Sequence, residues 1–291
     1  MSCATRSVVA LVGLLLLCAA GTGGCTVTEK EELQMGRQLH GKFEKESGGL
    51  YPDQQVQQYV SSVGMTLAQH AGRPNLDWRF SVVNSDQINA FAVPGGYIYL
   101  TQGLLFRLSN EAQLAGVLGH EAGHIAERHS AEQIGRAQTS QGLSTVVGVV
   151  GGLFGYGWAG DVTSAVAGLS MMSYSRDQER EADMLGLRYM TEAGYNPQGL
   201  VQLMKILKSA SGEKNPPEFL STHPNPGNRL EYLTETIEKK YVTAAQSGRL
   251  GEAEFQQNIV SRRRGVAMLM MFHFDPADPS DWCATCRNAS P

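Results

Sequence analysis

The sequence predicts an α+β fold, mainly helical, with a small β-sheet or hairpin packed beside one central helix. Three observations predict it. Apolar residues recur at helical spacing through Glu31 to Lys45, Gln54 to His70 and Asn110 to Ile125. β-Branched and aromatic residues concentrate in three short runs, Trp78 to Val83, Ala90 to Val93 and Tyr97 to Thr101. Pro94-Gly95-Gly96 supplies a turn between the last two runs. The 291 residues suit one compact domain of about 200 residues with additions at both ends.

At the N-terminus, residues 1–24 read as an export signal: Arg6 is followed by an apolar core from Val8 to Ala20 and then by small residues. That core is too short for a comfortable membrane span. Thr22-Gly-Gly-Cys25 is similar to the lipobox of bacterial lipoproteins, with Thr22 in place of the usual Leu. Cys25 is therefore the expected site of lipid attachment, tethering the chain to a membrane from the periplasmic side. Thr26 after the cysteine points to the outer membrane. Cys3 and Cys18 leave with the signal, and Cys283 and Cys286 form a lone CxxC for which a local disulfide is the expected state in an oxidising compartment. One such pair lacks the four ligands of a structural zinc site. A net charge of −4 gives no basis for nucleic-acid binding.

The chemistry-bearing motif is Leu118-Gly-His-Glu-Ala-Gly-His-Ile-Ala, an HExxH arrangement. Asn110 can cap its helix, with Gln113 reaching back. Residues four apart share a helix face, so His120 and His124 can both reach one metal ion. Glu121, rotated by roughly 100° from His120, stands beside the ion as a base rather than as a ligand. A third ligand is needed. The pattern with Gly three and His six residues past the second His is absent, because Glu127 and Ser130 stand there. His129, expected on the same helix, cannot swing back. Ser175-Arg-Asp-Gln-Glu-Arg-Glu-Ala-Asp opens another amphipathic helix, on which Glu179 and Asp183 share a face. Glu179 is read as the third ligand and Asp183 as the acceptor that orients a ligating imidazole, with Glu181 as the competing ligand.

Four blocks in register carry a family resemblance: Asn89-Ala-Phe-Ala-Val-Pro-Gly-Gly-Tyr-Ile-Tyr-Leu, the motif from His120 to His124, Glu179 with Asp183, and Thr222-His-Pro-Asn-Pro-Gly-Asn-Arg229. From about residue 50 to about residue 240 the chain resembles the gluzincins, the HExxH zinc metalloendopeptidases that include the CAAX prenyl protease, HtpX and BepA types. The resemblance implies a zincin-like fold, one Zn²⁺ per chain and hydrolysis of internal peptide bonds. It implies unfolded or misassembled envelope proteins as substrates and an outer-membrane assembly machinery as partner. It places Asn89, Ala90 and Phe91 on a free strand edge to which an extended substrate adds. It also puts His223 near the metal, as an oxyanion donor or as a plug in the open metal position, and lets Arg229 hold Asp183 or its loop.

From Thr139 to Gly160 no residue is charged, and Gly148, Gly151, Gly152, Gly155, Gly157 and Gly160 crowd the segment. Residues 139–172 are expected to form an apolar loop or lid, the alternative being a membrane span. Further helices are expected over Gln198 to Ser209 and Asn225 to Lys240. Residues 25–244 are then the peptidase domain and 245–291 a C-terminal extension, in which no tandem repeat of the BepA type is visible. Two other readings stay open: a periplasmic assembly chaperone with a latent zinc site, and an integral-membrane protease.

Overall fold

The structure, a computed structural model, describes residues 27–43, 49–133, 173–212, 217–223 and 228–263. The signal segment, Cys25, the glycine-rich segment 139–172 and the pair Cys283 and Cys286 lie outside the described residues. Among the described residues no helix is long and apolar enough to cross a membrane.

Helices α1 (Glu29–Phe43) and α2 (Gln54–Ala68) come first. Asp53 starts α2 by accepting from the backbone N–H groups of Gln55 and Val56. Strands β1 (Arg79–Val83), β2 (Ala90–Val93) and β3 (Tyr97–Thr101) form a sheet of order β1-β3-β2. β3 is central, parallel to β1 and antiparallel to β2, with Phe91 opposite Tyr99. The turn joining β2 to β3 needs left-handed backbone, which Gly95 (φ 95°) and Gly96 (φ 103°) provide. Then follow α3 (Gln102–Leu105), α4 (Glu111–Ala126), α5 (Arg176–Glu192), α6 (Gln198–Ala210), α7 (Phe219–Thr222), α8 (Arg229–Lys240), α9 (Val242–Ser247) and α10 (Glu252–Phe255), which runs into a π-turn over Gln256–Val260.

Helix α4 is the axis of the molecule. Every residue from Glu111 to Ile125 is buried, so the helix is enclosed on all sides rather than amphipathic. The sheet and α2 cover its Leu and Val face, while α5 and α6 cover its glycine face. A Cβ on Gly123 would stand 2.9 Å from the Cα of Ala182, and one on Gly186 would stand 3.1 Å from the backbone nitrogen of His120. Small residues thus let α5 approach α4 backbone to backbone and bring α5 side chains over the histidines. Asn110 caps α4 through the Gln113 N–H at 2.9 Å, while Gln113 Oε1 accepts from Ser109 at 2.8 Å, one residue earlier than a reciprocal capping box requires.

Two expectations need correction. His129 is not on the helix that carries His120 and His124: α4 ends at Ala126, and Arg128 adopts a left-handed conformation (φ 60°) that turns the chain. The core also continues past residue 244. Phe255 and Ile259 are buried in it, and the backbone carbonyls of Leu250 and Gly251 accept from the Ala112 and Glu111 N–H groups at the start of α4. An apolar side chain every few residues from Phe255 onward was too sparse a signal to place that segment from sequence.

Candidate metal centre

Helix α4 presents His120 and His124 one turn apart, α5 presents Glu179, and the residue ending α7 presents His223. One nitrogen or oxygen from each lies within 4.8 Å of every other, and all four side chains are buried. The spacings suit one tetrahedral ion. His120 Nε2 is 3.1 Å from His124 Nε2 and 3.3 Å from His223 Nδ1. Glu179 Oε1 is 3.3 Å from His124 Nε2 and 2.8 Å from His223 Nδ1, and Glu179 Oε2 is 3.6 Å from His120 Nε2. A tetrahedron with zinc–ligand bonds of about 2.0–2.1 Å has edges of roughly 3.3–3.4 Å. Three imidazoles and a carboxylate at these separations are a borderline-soft donor set that zinc accepts.

Glu121 lies beside the group without joining it. Both of its carboxylate oxygens are buried and have no hydrogen-bond partner among the described residues, and Oε1 is 3.5 Å from His223 Nε2. Burial pushes its carboxyl above the usual range, against the opposing pull of His223 and His120. A buried carboxylate with no partner among the described residues, set beside a donor group, is a candidate for proton transfer.

Behind the group stands a second layer of charge. Asp183 Oδ1 is 3.0 Å from His120 Nδ1. Arg229 grips the same carboxylate at two points, Nε to Oδ2 at 2.7 Å and Nη2 to Oδ1 at 2.6 Å, and the Tyr232 hydroxyl also donates to Oδ2. Arg229 Nη2 is 3.2 Å from His120 Nδ1, but a guanidinium only donates. The arrangement that keeps His120 Nε2 bare toward the centre therefore has its Nδ1–H donating to Asp183. Arg229 Nη1 also lies 2.8 Å from Glu179 Oε2, an ion pair without the angles of a hydrogen bond. Burial opposes ionisation of Asp183, but Arg229 and His120 outweigh it and bring its pKa down to about 2. Glu179 is likewise held well below the carboxylate range, its burial outweighed by His223 and His124. Burial alone would lower the pKa of His223, yet Glu179 and Glu121 raise it.

Glu181 points away from the group, with Oε2 3.2 Å from His129 Nε2. On β2, Thr101 N–H donates to the Asn89 carbonyl, so Asn89 and Phe91 turn their main chain toward β3. The outer edge belongs to Ile88, Ala90 and Ala92. Phe219 N–H meets the Ile88 carbonyl at 3.2 Å and Ser130 Oγ meets the Ala92 carbonyl at 3.4 Å, leaving Ala90 between them. Of the three residues expected at a free edge, Ala90 alone turns its main chain outward, because successive residues of a strand alternate direction. Asn89 contributes a buried Oδ1 with no hydrogen-bond partner among the described residues.

Three side chains to which the sequence assigned no part lie against the group. The Tyr174 ring stacks on His124 (centroids 3.8 Å apart) while its hydroxyl pairs with Ser130 at 2.8 Å. Phe219 stacks on His223 at 4.1 Å, one helical turn before it, and that spacing was the available signal. His129 stands with Nδ1 2.9 Å from His124 Nδ1.

A mainly helical fold with a small sheet, built around a buried group of three histidines and a glutamate, defines a zincin-like metal-dependent protein. The comparisons take the assignment one step further. Residues 54–237 match the model of peptidase family M48, and the chain belongs to that family. Zinc is the cofactor that family membership and the donor set both indicate. The chain is 36% identical over 222 residues to the beta-barrel assembly-enhancing protease of Escherichia coli strain K12, covering 72% of this chain and 44% of that protein. It is 34% identical over 217 residues to the protein of the same name from Yersinia pestis, with the same coverage. It is 30% identical over 186 residues to the mitochondrial metalloendopeptidase OMA1 of Schizosaccharomyces pombe, covering 63% of this chain and 54% of that protein. The chain thus spans about half the length of these curated relatives or less.

Proposed function

We propose that the chain is a zinc-dependent endopeptidase that cleaves internal peptide bonds of misfolded or misassembled cell-envelope proteins, in the quality control of outer-membrane proteins. The observation that carries the chemistry is Glu121, a buried carboxylate with no hydrogen-bond partner among the described residues, beside four convergent metal donors. His120, His124 and Glu179 would hold the ion. The chemistry that bound zinc supplies is Lewis acidity, which brings deprotonation of water toward neutral pH and polarises a carbonyl. Glu121 takes the proton of the attacking water and delivers it to the leaving amine, its carboxylate standing beside the donor group without joining it. An extended substrate adds to the outer edge of β2 at Ala90, which aligns its backbone beside the centre. His223, within the donor group, acts as a plug in the resting chain.

The envelope setting rests on the export signal read in residues 1–24, on the lipobox ending at Cys25, and on the relatives whose name describes enhancement of β-barrel assembly. In this reading the chain works in the periplasm, anchored through lipidated Cys25, probing assembling β-barrels. The test is degradation of an unfolded outer-membrane β-barrel protein by wild type and by Glu121→Gln. Wild-type cleavage with loss of turnover by orders of magnitude in the variant is the expected result. Equal rates overturn the peptidase reading.

A further inference from the structure

His129 has a place in the centre that its sequence spacing did not suggest. Continued as a helix, α4 would carry it away from His124, because five residues rotate the chain by roughly 500°, about 140° past a full turn. The chain instead leaves the helix at Ala126 and turns through Arg128 at φ 60°. A left-handed conformation costs a residue with a Cβ roughly 1–2 kcal/mol, so something must hold it. Arg128 Nε donates to buried Glu32 at 2.6 Å, and its backbone N–H reaches the Ile125 carbonyl at 3.1 Å. The turn returns His129, 3% exposed, to the outer side of His124.

The heavy-atom geometry then dictates where the protons sit. His124 Nε2 faces the donor group, 3.1 Å from His120 Nε2 and 3.3 Å from Glu179 Oε1. A nitrogen that ligates must be bare, so the proton of neutral His124 is on Nδ1. That Nδ1 is 2.9 Å from His129 Nδ1, which must accept and is therefore bare too. The proton of His129 is left on Nε2, 3.2 Å from Glu181 Oε2. One tautomer of each ring satisfies every contact, and the opposite pair would aim an N–H at the metal position.

We propose that His129, set in its tautomer by Glu181, is the positioning residue of His124: it orients the imidazole and keeps its Nε2 lone pair directed at zinc. The two ligating histidines are then supported differently. His120 donates to an ionised carboxylate, Asp183, locked by Arg229, whereas His124 donates to a neutral imidazole whose carboxylate partner lies at the half-exposed surface. Glu181 thus belongs to the centre as a remote support and not as a ligand.

This inference rests on the metal-centre reading above, and the experiment separates the two. Zinc affinity is measured by competition with a chromophoric chelator for the full chain and for His124→Ala, His129→Ala, His129→Asn and Glu181→Ala. Loss of an outer partner of a ligand costs about 10–100-fold in metal affinity, the weakening expected for His129→Ala. His129→Asn, whose Oδ1 falls near the position of Nδ1, is expected to recover to within about three-fold of wild type, and Glu181→Ala to lose about three- to ten-fold. His129→Ala at wild-type affinity, with zinc lost from His124→Ala, overturns the relay and leaves the centre standing. Zinc retained by His124→Ala overturns the centre itself. Should His129→Ala fail to fold, the ring ¹⁵N shifts of zinc-loaded wild type decide: protonation of His129 at Nε2 is expected, and protonation at Nδ1 overturns the proposal.

Discussion

Arg229 and Asp183 form a two-point ion pair, 2.7 and 2.6 Å, sealed behind the imidazole of His120 with neither side chain more than 2% exposed. Removing one partner of such a pair leaves a buried charge uncompensated, at a cost of about 3–5 kcal/mol. Arg229→Met is therefore expected to destabilise the chain by that order, and Arg229→Lys to recover only part, because an ammonium cannot meet both carboxylate oxygens in one plane. Denaturant unfolding of the three proteins at neutral pH measures both effects; Arg229→Met within 1 kcal/mol of wild type would remove the pair from the stability of the fold.

The same pair sets an acid limit. The pKa of Asp183 falls from 3.8 to about 2 in the folded chain. A carboxylate with a depressed folded value contributes stability that is present above its unfolded value and is lost as pH falls through its folded value. For Asp183 the window runs from about pH 5 down to about pH 2, with of order 2 kcal/mol at stake. Chelator-treated wild type should lose stability across that window, and Asp183→Asn should show a shallower slope. Parallel slopes in the two proteins would show that Asp183 is not depressed.

Glu179 and Glu181 are two residues apart on α5, and only Glu179 reaches the donor group. Glu179→Ala is expected to lose much of its zinc after dialysis, because it removes the one anionic donor and leaves three neutral imidazoles beside the cationic Arg229. Glu181→Ala should keep close to one zinc per chain under the same dialysis, its deficit showing only in chelator competition. Elemental analysis decides, and the reverse pattern would mean that α5 is turned the other way in the zinc-loaded chain.

His223 stands within tetrahedral-edge distance of His120 and Glu179, at the corner that the proposed mechanism reserves for water. His223→Ala is expected to raise basal hydrolysis of an unfolded protein several-fold by opening that corner. A fall in rate with zinc retained would instead assign His223 to stabilising the oxyanion. The Phe219 ring stacked on it also has its backbone N–H on the Ile88 carbonyl just before β2, which links His223 to the outer edge of that strand.

Close approach of α4 and α5 can be tested independently of charge. A Cβ on Gly123 would meet the Ala182 backbone at 2.9 Å, so Gly123→Val must separate the helices. Overpacking of this kind costs about 1–3 kcal/mol and lifts Glu179 from the histidines, so stability and zinc affinity should fall together. Wild-type zinc affinity in a destabilised Gly123→Val would show that Glu179 reaches the metal without that contact.

Local chemistry made much of this legible from sequence. Periodicity bounded the strands Ala90–Val93 and Tyr97–Thr101 at the residues observed, and the HExxH spacing placed His120, Glu121 and His124 on one helix because a helix brings residues four apart together. The four-residue interval from Glu179 to Asp183 set both on one face of α5 by the same rule. Tertiary structure decided what no local rule contains. The left-handed turn at Arg128 is held by Glu32 and the Val27 carbonyl, far away in sequence, and it returns His129 to His124. Which β2 residues face outward depends on pairing with β3, and the enclosure of α4 depends on α5, α6 and the segment after residue 244 closing around it. Short-range spacing is set by the backbone's own geometry, whereas these arrangements are set by contacts between segments that meet only when the chain is folded.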